Sequence, residues 1–516
     1  MQSAFENFDK SFEWEDGNDG VCQPDSAFQS SFEQLDITMR DSTQLRIKWA
    51  DIGNNMEEQE QQKGLPFSLL SRKNYNIVVC NMEKVGQTSP KISTNEIMGL
   101  AGHGFLKNKA LNKCTNDVKA LRDLMTTNDK LDAELTLHLL TAAEKVSEME
   151  YSIATILLAT DCRRLASKTG TPVQRLAYYF VEALEKRIER ETTRREVTCS
   201  FEQKLDQEGH RMRSNWRYNS AILSFYQQFP FFQALRFAGI QAILERIEMK
   251  SKVHIYDIQT RTGAPWAILM EAIAAKRESH PIQHLKITVI QPSTDDKQTL
   301  EMIGLQLQSL AKTVGLFQFS FHFIFMADFV DERLDMDPEE AIVVYASFVM
   351  SSGVGRPGCL EKFMQVIKSM KPTLMVVTEV EANYNMPSFV NRFVEALFTF
   401  GAIFDSLEDG MGREDQTRMD LEEGPMSTAI HNIIVTEGKE RVTRNVKYDV
   451  WKAFFIRFGM VGTELSESSI YQASIVASSK SCGNSCTLEM EVNERNCLIV
   501  GWKGTPLFGL SIWRFT

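Results

Sequence analysis

A chain of 516 residues with 43% hydrophobic and 24% charged side chains has room for one large domain or two to three ordinary ones, and this balance excludes fibrous and wholly disordered classes. Its net charge of −11 argues against broad electrostatic capture of nucleic acid or anionic membrane, because phosphate binding needs clustered Lys and Arg. No apolar run approaches the roughly 20 residues of a membrane helix, the opening MQSAFENFDKSFEWEDGNDG has no basic and apolar leader pattern, and the nine cysteines are scattered, so the expected setting is intracellular with reduced thiols.

Residues 1–128 open acidic and aromatic, pass through the tract NNMEEQEQQKG and show only weak, intermittent apolar periodicity. That pattern predicts a variable, largely disordered region, with YNIVVC as its best strand candidate. The region reads either as a solubilising tail or as a partner-binding segment; the Phe and Trp among acidic residues in AFENFDKSFEWEDGNDG suit acidic, hydrophobic recruitment contacts. From Leu131 the spacing turns helical: Leu135, Leu139, Ala142, Val146 and Met149 recur on one face, Ile153, Ile156 and Leu157 continue it, and that face is expected to be buried. KTGTP stops one helix and starts another, which carries Leu176, Phe180, Leu184 and Ile188. Pro172 interrupts any heptad seam, so the stripe reads as core packing rather than a coiled coil. EKRIERETTRRE reads as a solvated helical end, and FYQQFPFFQALRFAGIQAILERI as a further helix.

After Val253 the pattern is strand, helix, strand. KVHIYD, LKITVI, FSFHFIF, AIVVYASF and TLMVVTEV are near-continuous apolar runs separated by helical stretches such as DKQTLEMIGLQLQSLAKTVG and CLEKFMQVIKSM, which predicts a parallel sheet covered on both faces. Ligands of such sheets bind at the carboxyl ends of the strands, where Asp257 and the loop IQTRTG fall. Asp257 either meets a ligand there or caps the following turn, and His254, alone on a buried strand, reads as structural. Glu379 and Glu381 share one face of their strand without an obvious acid and base division, and Arg392 is expected to pair with one of them. Trp502 and Trp513 flank KGTPLFG, a hairpin whose bend is expected at Gly504 and Pro506, and read as core. Cys482 and Cys486 lack a second ligand pair and read as loop cysteines rather than a zinc site.

These segments, in order, resemble the plant GRAS family. ELTLHLLTAAEKVSEME with LASKTGTPVQRLAYYFVEAL looks like its first leucine-rich region, and Val253, His254, Ile255, Tyr256 and Asp257 look like its VHIID box. Pro372, Phe389 and Arg392 match the PFYRE region; Arg441, Val442, Thr443, Arg444 and Trp451 the RVER region; Trp502, Ser511, Ile512 and Trp513 the SAW region. Tyr256 stands where isoleucine is usual and Ile512 departs from the SAW pattern, both keeping the apolar character a strand needs. The C-terminal half resembles the branch containing DELLA proteins, while the N-terminal region has no DELLA-type receptor motif.

The resemblance implies an α/β, Rossmann-like, methyltransferase-like parallel-sheet core with an N-terminal helical cap. The corresponding GRAS domain spans 129–516, with the cap over about 129–250 and the core over about 251–516. It implies a nuclear, non-enzymatic transcriptional regulator that binds DNA-binding transcription factors, with zinc-finger proteins as candidates, and other GRAS proteins as homo- or heterodimers. Promoter association would be indirect, with no membrane, cofactor, metal or catalytic residue involved. The alternative is an S-adenosylmethionine-dependent methyltransferase-like enzyme or a small-molecule sensor. Against it, DIQTRTG supplies only Gly263, so Gln259, Thr260, Arg261 and Thr262 crowd the loop, and the second strand ends at Gln291 and Pro292 instead of a ribose-binding carboxylate.

Overall fold

The five predicted apolar runs pair as β1 (Lys252–Ile258), β2 (His284–Gln291), β3 (Gln318–Phe325), β4 (Ala341–Ser347) and β5 (Leu374–Val380), all parallel, in the order β3-β2-β1-β4-β5. β6 (Met460–Gly462), β7 (Cys486–Met490), β8 (Cys497–Trp502) and β9 (Thr505–Phe515) extend the sheet antiparallel, with β9 against β5. The computed structural model describes residues 92–109, 125–196, 225–226 and 229–516 except 261, 277–281, 292–296, 317, 327–328, 330–336, 443, 479–484 and 492. YNIVVC, Arg261, Pro292, Thr443 and Cys482 lie outside those residues.

Along β1, side chains alternate between two cores: Val253 and Ile255 join one cluster, Tyr256 and Ile258 the other. Tyr256 is buried between the rings of His254 and Phe329.

Helices α1 (Thr94–Lys109), α2 (Thr127–Ser147), α3 (Tyr151–Leu157), α4 (Pro172–Glu196) and α5 (Pro230–Ile247) precede the sheet. α6 (Ala264–Ala275), α7 (Lys297–Thr313) and α8 (Pro357–Met370) cross between parallel strands; α9 (Phe389–Gly410), α10 (Gln416–Leu421), α11 (Ser427–Ile434), α12 (Tyr448–Arg457) and α13 (Glu467–Ala477) follow. α9 is buried from Phe389 to Leu407 apart from Asn391, and α4 packs on it and on α11, so C-terminal helices complete the N-terminal cap.

Three sequence expectations need correction. Helix α1 lies before the expected boundary at 129, yet Ile97 and Met98 are buried. Met98 fills the space over Gly401, where an added Cβ would lie 2.1 Å from its Cε. Asn95 donates to the Phe398 carbonyl at 3.1 Å and to Thr505 Oγ1 at 2.7 Å. Its sequence signal was Ser93-x-x-Glu96, a capping box in which Ser93 N and Oγ both donate to Glu96 at 2.7 Å. The cap boundary near 250 also shifts, because α5 lies on the sheet: Gly239 lets it approach Val376 and Leu510.

The third correction concerns the apolar stripe. Leu135, Leu139, Ala142 and Val146 are buried, but Met149, Ile153 and Ile156 are 58%, 47% and 61% exposed. Met149 adopts a left-handed φ of 62° between α2 and α3. That turn rotates α3, so Ala154 and Leu158 face inward in place of Ile153 and Ile156, while Leu157 is half-buried against the core as expected.

Candidate functional site

The carboxyl edge of the parallel strands is where the fold would present a ligand site, and its side chains bond chiefly to one another. Asp257 Oδ2 accepts the indole N–H of buried Trp266 at 2.7 Å, and Trp266 stands edge-on to Tyr345. Burial pushes the Asp257 carboxyl up to about 7 against the opposing hydrogen bonds from Trp266 and Thr260. Gln259 turns the chain in the left-handed region, φ 63°, with its N–H donating to the Ile290 carbonyl at 2.8 Å. Gln291 is buried and donates to the Thr260 carbonyl at 3.4 Å.

His254, at the other end of β1, lies 3.1 Å from Glu340 Oε2 and 2.8 Å from Thr288 Oγ1. Burial, then Lys286 and His322, lowers its pKa to about 3, so the ring is neutral near pH 7.

A small recess opens where β5 meets β9 and α12. It is lined by Glu379, Glu381, Tyr448, Trp451, Cys497 and Ser511, together with Val377 and Gly509. Glu379 accepts the backbone N–H of Met350 at 2.7 Å and of Ser351 at 3.3 Å; Glu381 accepts that of Tyr448 at 2.9 Å. Burial raises both carboxyls to about 7 and holds the Cys497 thiol well above its usual range. Two near-neutral acids beside an unreactive thiol supply no activated nucleophile. Among the described residues no group of three or more His, Cys, Asp or Glu has metal-holding geometry.

The expected pairing of Arg392 with Glu379 or Glu381 is not found. Arg392 is fully buried near the start of α9, and its guanidinium donates to the carbonyls of Met386 at 2.8 Å and Ile433 at 3.1 Å and pairs with Glu437. The glutamates point into the recess on the far side of β5, whereas Arg392 turns towards the loop after α11, so helix rotation decided the partner.

Glu437 brings two motif regions together. Its Oε1 also receives Arg187 Nη1 at 2.9 Å, from the helical end that read as solvated. Arg441 donates to the Tyr384 carbonyl at 3.2 Å, and Arg444 to Asn385 Oδ1 at 2.9 Å and the Gly438 carbonyl. Phe389 lies under the Arg187 guanidinium at 4.1 Å. Val442 is half-buried beside them, and Pro372 is buried at the entry to β5.

The remaining motif residues pack on opposite faces of the sheet. Trp451 and Trp513 belong with the cluster below β5, where Trp513 donates to Ser511 Oγ at 2.8 Å; Trp502 and Ile512 join the cluster on the cap side. Trp502 donates to Asp405 Oδ2 at 2.8 Å, and Asp405 also receives Lys503 Nζ at 2.6 Å and Thr94 Oγ1 at 2.7 Å. The hairpin bends at Lys503 and Gly504, both at positive φ, and not at Pro506, which is paired in β9 opposite Gly501. Cys486 is half-buried on β7. Sequence reasoning passed over Trp266, Asp405 and Glu437; an indole one helical turn into α6 was the available signal for the first, and no local signal marked the others.

Comparison with known proteins accords with this architecture. The GRAS domain family profile matches residues 135–514. The chain is 31% identical over 374 residues to DELLA protein GAI of Gossypium hirsutum, covering 72% of this chain and 66% of that one. It is 30% identical over 381 residues to DELLA protein GAI1 of Vitis vinifera, covering 73% and 61%. The chain thus spans less than two thirds of the length of these two relatives. In structure it is similar to SCL7 of Oryza sativa, with a TM-score of 0.62 and 22% identity over 74% of this chain and 99% of that one. That likeness gives the fold: a Rossmann-like, methyltransferase-like core with a helical cap. The match over residues 135–514 and the shared architecture together make this chain a member of the GRAS domain family.

Proposed function

We propose that this protein is a nuclear, non-enzymatic transcriptional regulator that works through protein contacts with DNA-binding transcription factors, zinc-finger proteins among them, and with other GRAS proteins. The observation that carries the reading is the exposed apolar group on the cap formed by Met149, in the turn between α2 and α3, with Ile153 and Ile156 on α3. Exposed apolar side chains grouped on a polar surface mark a protein interface. Two further facts support it: Asp257 and Gln291 are engaged with Trp266 and Thr260 at the edge a cofactor would use, and the net charge of −11 disfavours direct capture of DNA.

The test measures promoter-DNA binding by the full chain with and without a zinc-finger DNA-binding domain. The double variant Ile153→Asp with Ile156→Asp should bind that domain at least about tenfold more weakly with unchanged melting, since both residues are exposed. Tight, sequence-specific DNA binding by the chain alone at physiological salt overturns the indirect mode. Calorimetry with S-adenosylmethionine tests the non-enzymatic part: micromolar binding abolished by Asp257→Asn overturns it.

A further inference from the structure

Four guanidiniums converge on one carboxylate between α4, the start of α9 and the segment 433–444. Among the described residues, Glu437 Oε1 receives Arg187 and Arg392, while Arg441 and Arg444 bond to carbonyl and amide oxygens: Tyr384 O, Arg441 O, Gly438 O and Asn385 Oδ1. Arg392 and Arg441 are buried, Arg187 nearly so, and the outer side is formed by half-buried Arg444 and by Glu437, whose side chain is 33% exposed. The next carboxylate along, Glu440, is paired with Arg190. Among the described residues, Arg441 Nε and Arg187 Nε are buried donors with no hydrogen-bond partner. Burial, then the neighbouring Arg392 and Arg444, pushes Arg441 down to about 9. An excess of buried cations and unused N–H groups is costly unless an anion completes it.

We propose that Arg187, Arg392, Arg441 and Arg444 form a binding site for a single phosphate dianion, free or carried as a monoester. Guanidinium forks match phosphate oxygens two at a time, and a charge of nearly two offsets most of what Glu437 leaves. The cluster is focal and backed by protein, in an acidic chain, so it fits one phosphoryl group and not a nucleic-acid backbone, which needs an extended basic track. Glu437 competes for the same donors: it holds the site closed in the anion's absence and gives way at its exposed edge when the anion enters.

The experiment uses the full chain with inorganic phosphate and O-phospho-L-serine as probes, sulfate and serine as controls, read by calorimetry and thermal melting. Saturable binding of phosphate or phosphoserine, weakened about tenfold or more in Arg444→Gln and unchanged in Arg413→Gln, supports the site. Glu437→Gln melts lower than wild type without anion and recovers when phosphate is added. Tighter binding of O-phospho-L-serine than of phosphate identifies a phosphorylated side chain as the source; equal binding identifies free phosphate. Stabilisation by phosphate and sulfate alike, undiminished in Arg444→Gln, is a general salt effect and overturns the proposal, as does the absence of saturable binding by either probe. If Glu437→Gln does not fold, the two arginine variants still decide.

Discussion

Helix α4 contributes to two arginine clusters built on opposite principles. Near its start, Arg175 and Arg418, both fully buried, share the Glu422 carboxylate at 3.0 and 2.8 Å, and Arg175 also pairs with Glu408 at 2.8 Å. Three turns later Arg187 joins three more arginines around Glu437. Burial outweighs the two guanidiniums at Glu422 and leaves its pKa raised; at Glu437 burial acts the same way, but the surrounding arginines overcome it and its pKa is lowered. The first cluster is internal, a lock between the N-terminal and C-terminal helices of the cap in which each buried guanidinium meets a carboxylate. The second carries spare positive charge and opens at its edge, which is what a binding site requires and a lock does not.

A buried carboxylate that several donors share recurs at Asp405, and the largest expected effect comes from stripping its partners. A chain beginning at residue 127 loses α1, its Met98 packing and the Thr94 bond to Asp405, and should lose about 5 kcal/mol in urea unfolding against a chain beginning at residue 92. Equal stability of the two chains would show that α1 rests on the core without holding it. Next, Glu422→Ala leaves Arg418 without its carboxylate and should cost about 3 kcal/mol, measured the same way.

The sheet edge offers a third arrangement, carboxyls held by N–H donors, with Asp257 and Glu379 raised to about 7 by burial. A carboxyl raised in the fold holds its proton more tightly there than in the unfolded chain, so stability falls as pH rises through about 7. His254 and His431, lowered to about 3 and about 4 by burial, work in the opposite sense, gaining stability as pH rises, and most of that gain is complete by neutrality. Between roughly pH 6.5 and 8 the wild type should therefore lose about 1 kcal/mol more than Glu379→Gln. A parallel pH dependence in the two proteins would place the titration elsewhere.

The smallest effect sharpens the contrast between the arginine clusters. Arg444→Gln, at the half-buried rim and bonded to no carboxylate among the described residues, should change stability by less than about 1 kcal/mol in anion-free buffer. A loss as large as that of Glu422→Ala would make the second cluster a lock as well.

The sequence by itself determined the five parallel strands, most of the helices and the burial of Leu135, Leu139, Trp502 and Trp513, because apolar periodicity and turn residues act over a few positions of chain. It also carried the capping box at Ser93, legible once α1 is known and easily passed over in a polar stretch. Tertiary structure alone decided the polar partners: Arg392 with Glu437 and not the nearer-seeming Glu379, Arg175 with Glu422, Thr94 with Asp405. It decided, too, that one left-handed residue at Met149 turns Ile153 and Ile156 outward. Apolar burial is non-directional and tolerates many neighbours, so it can be read from pattern. A charged group bonds only to what helix rotation brings within about 3 Å, and that is settled by segments from 45 to 311 residues apart.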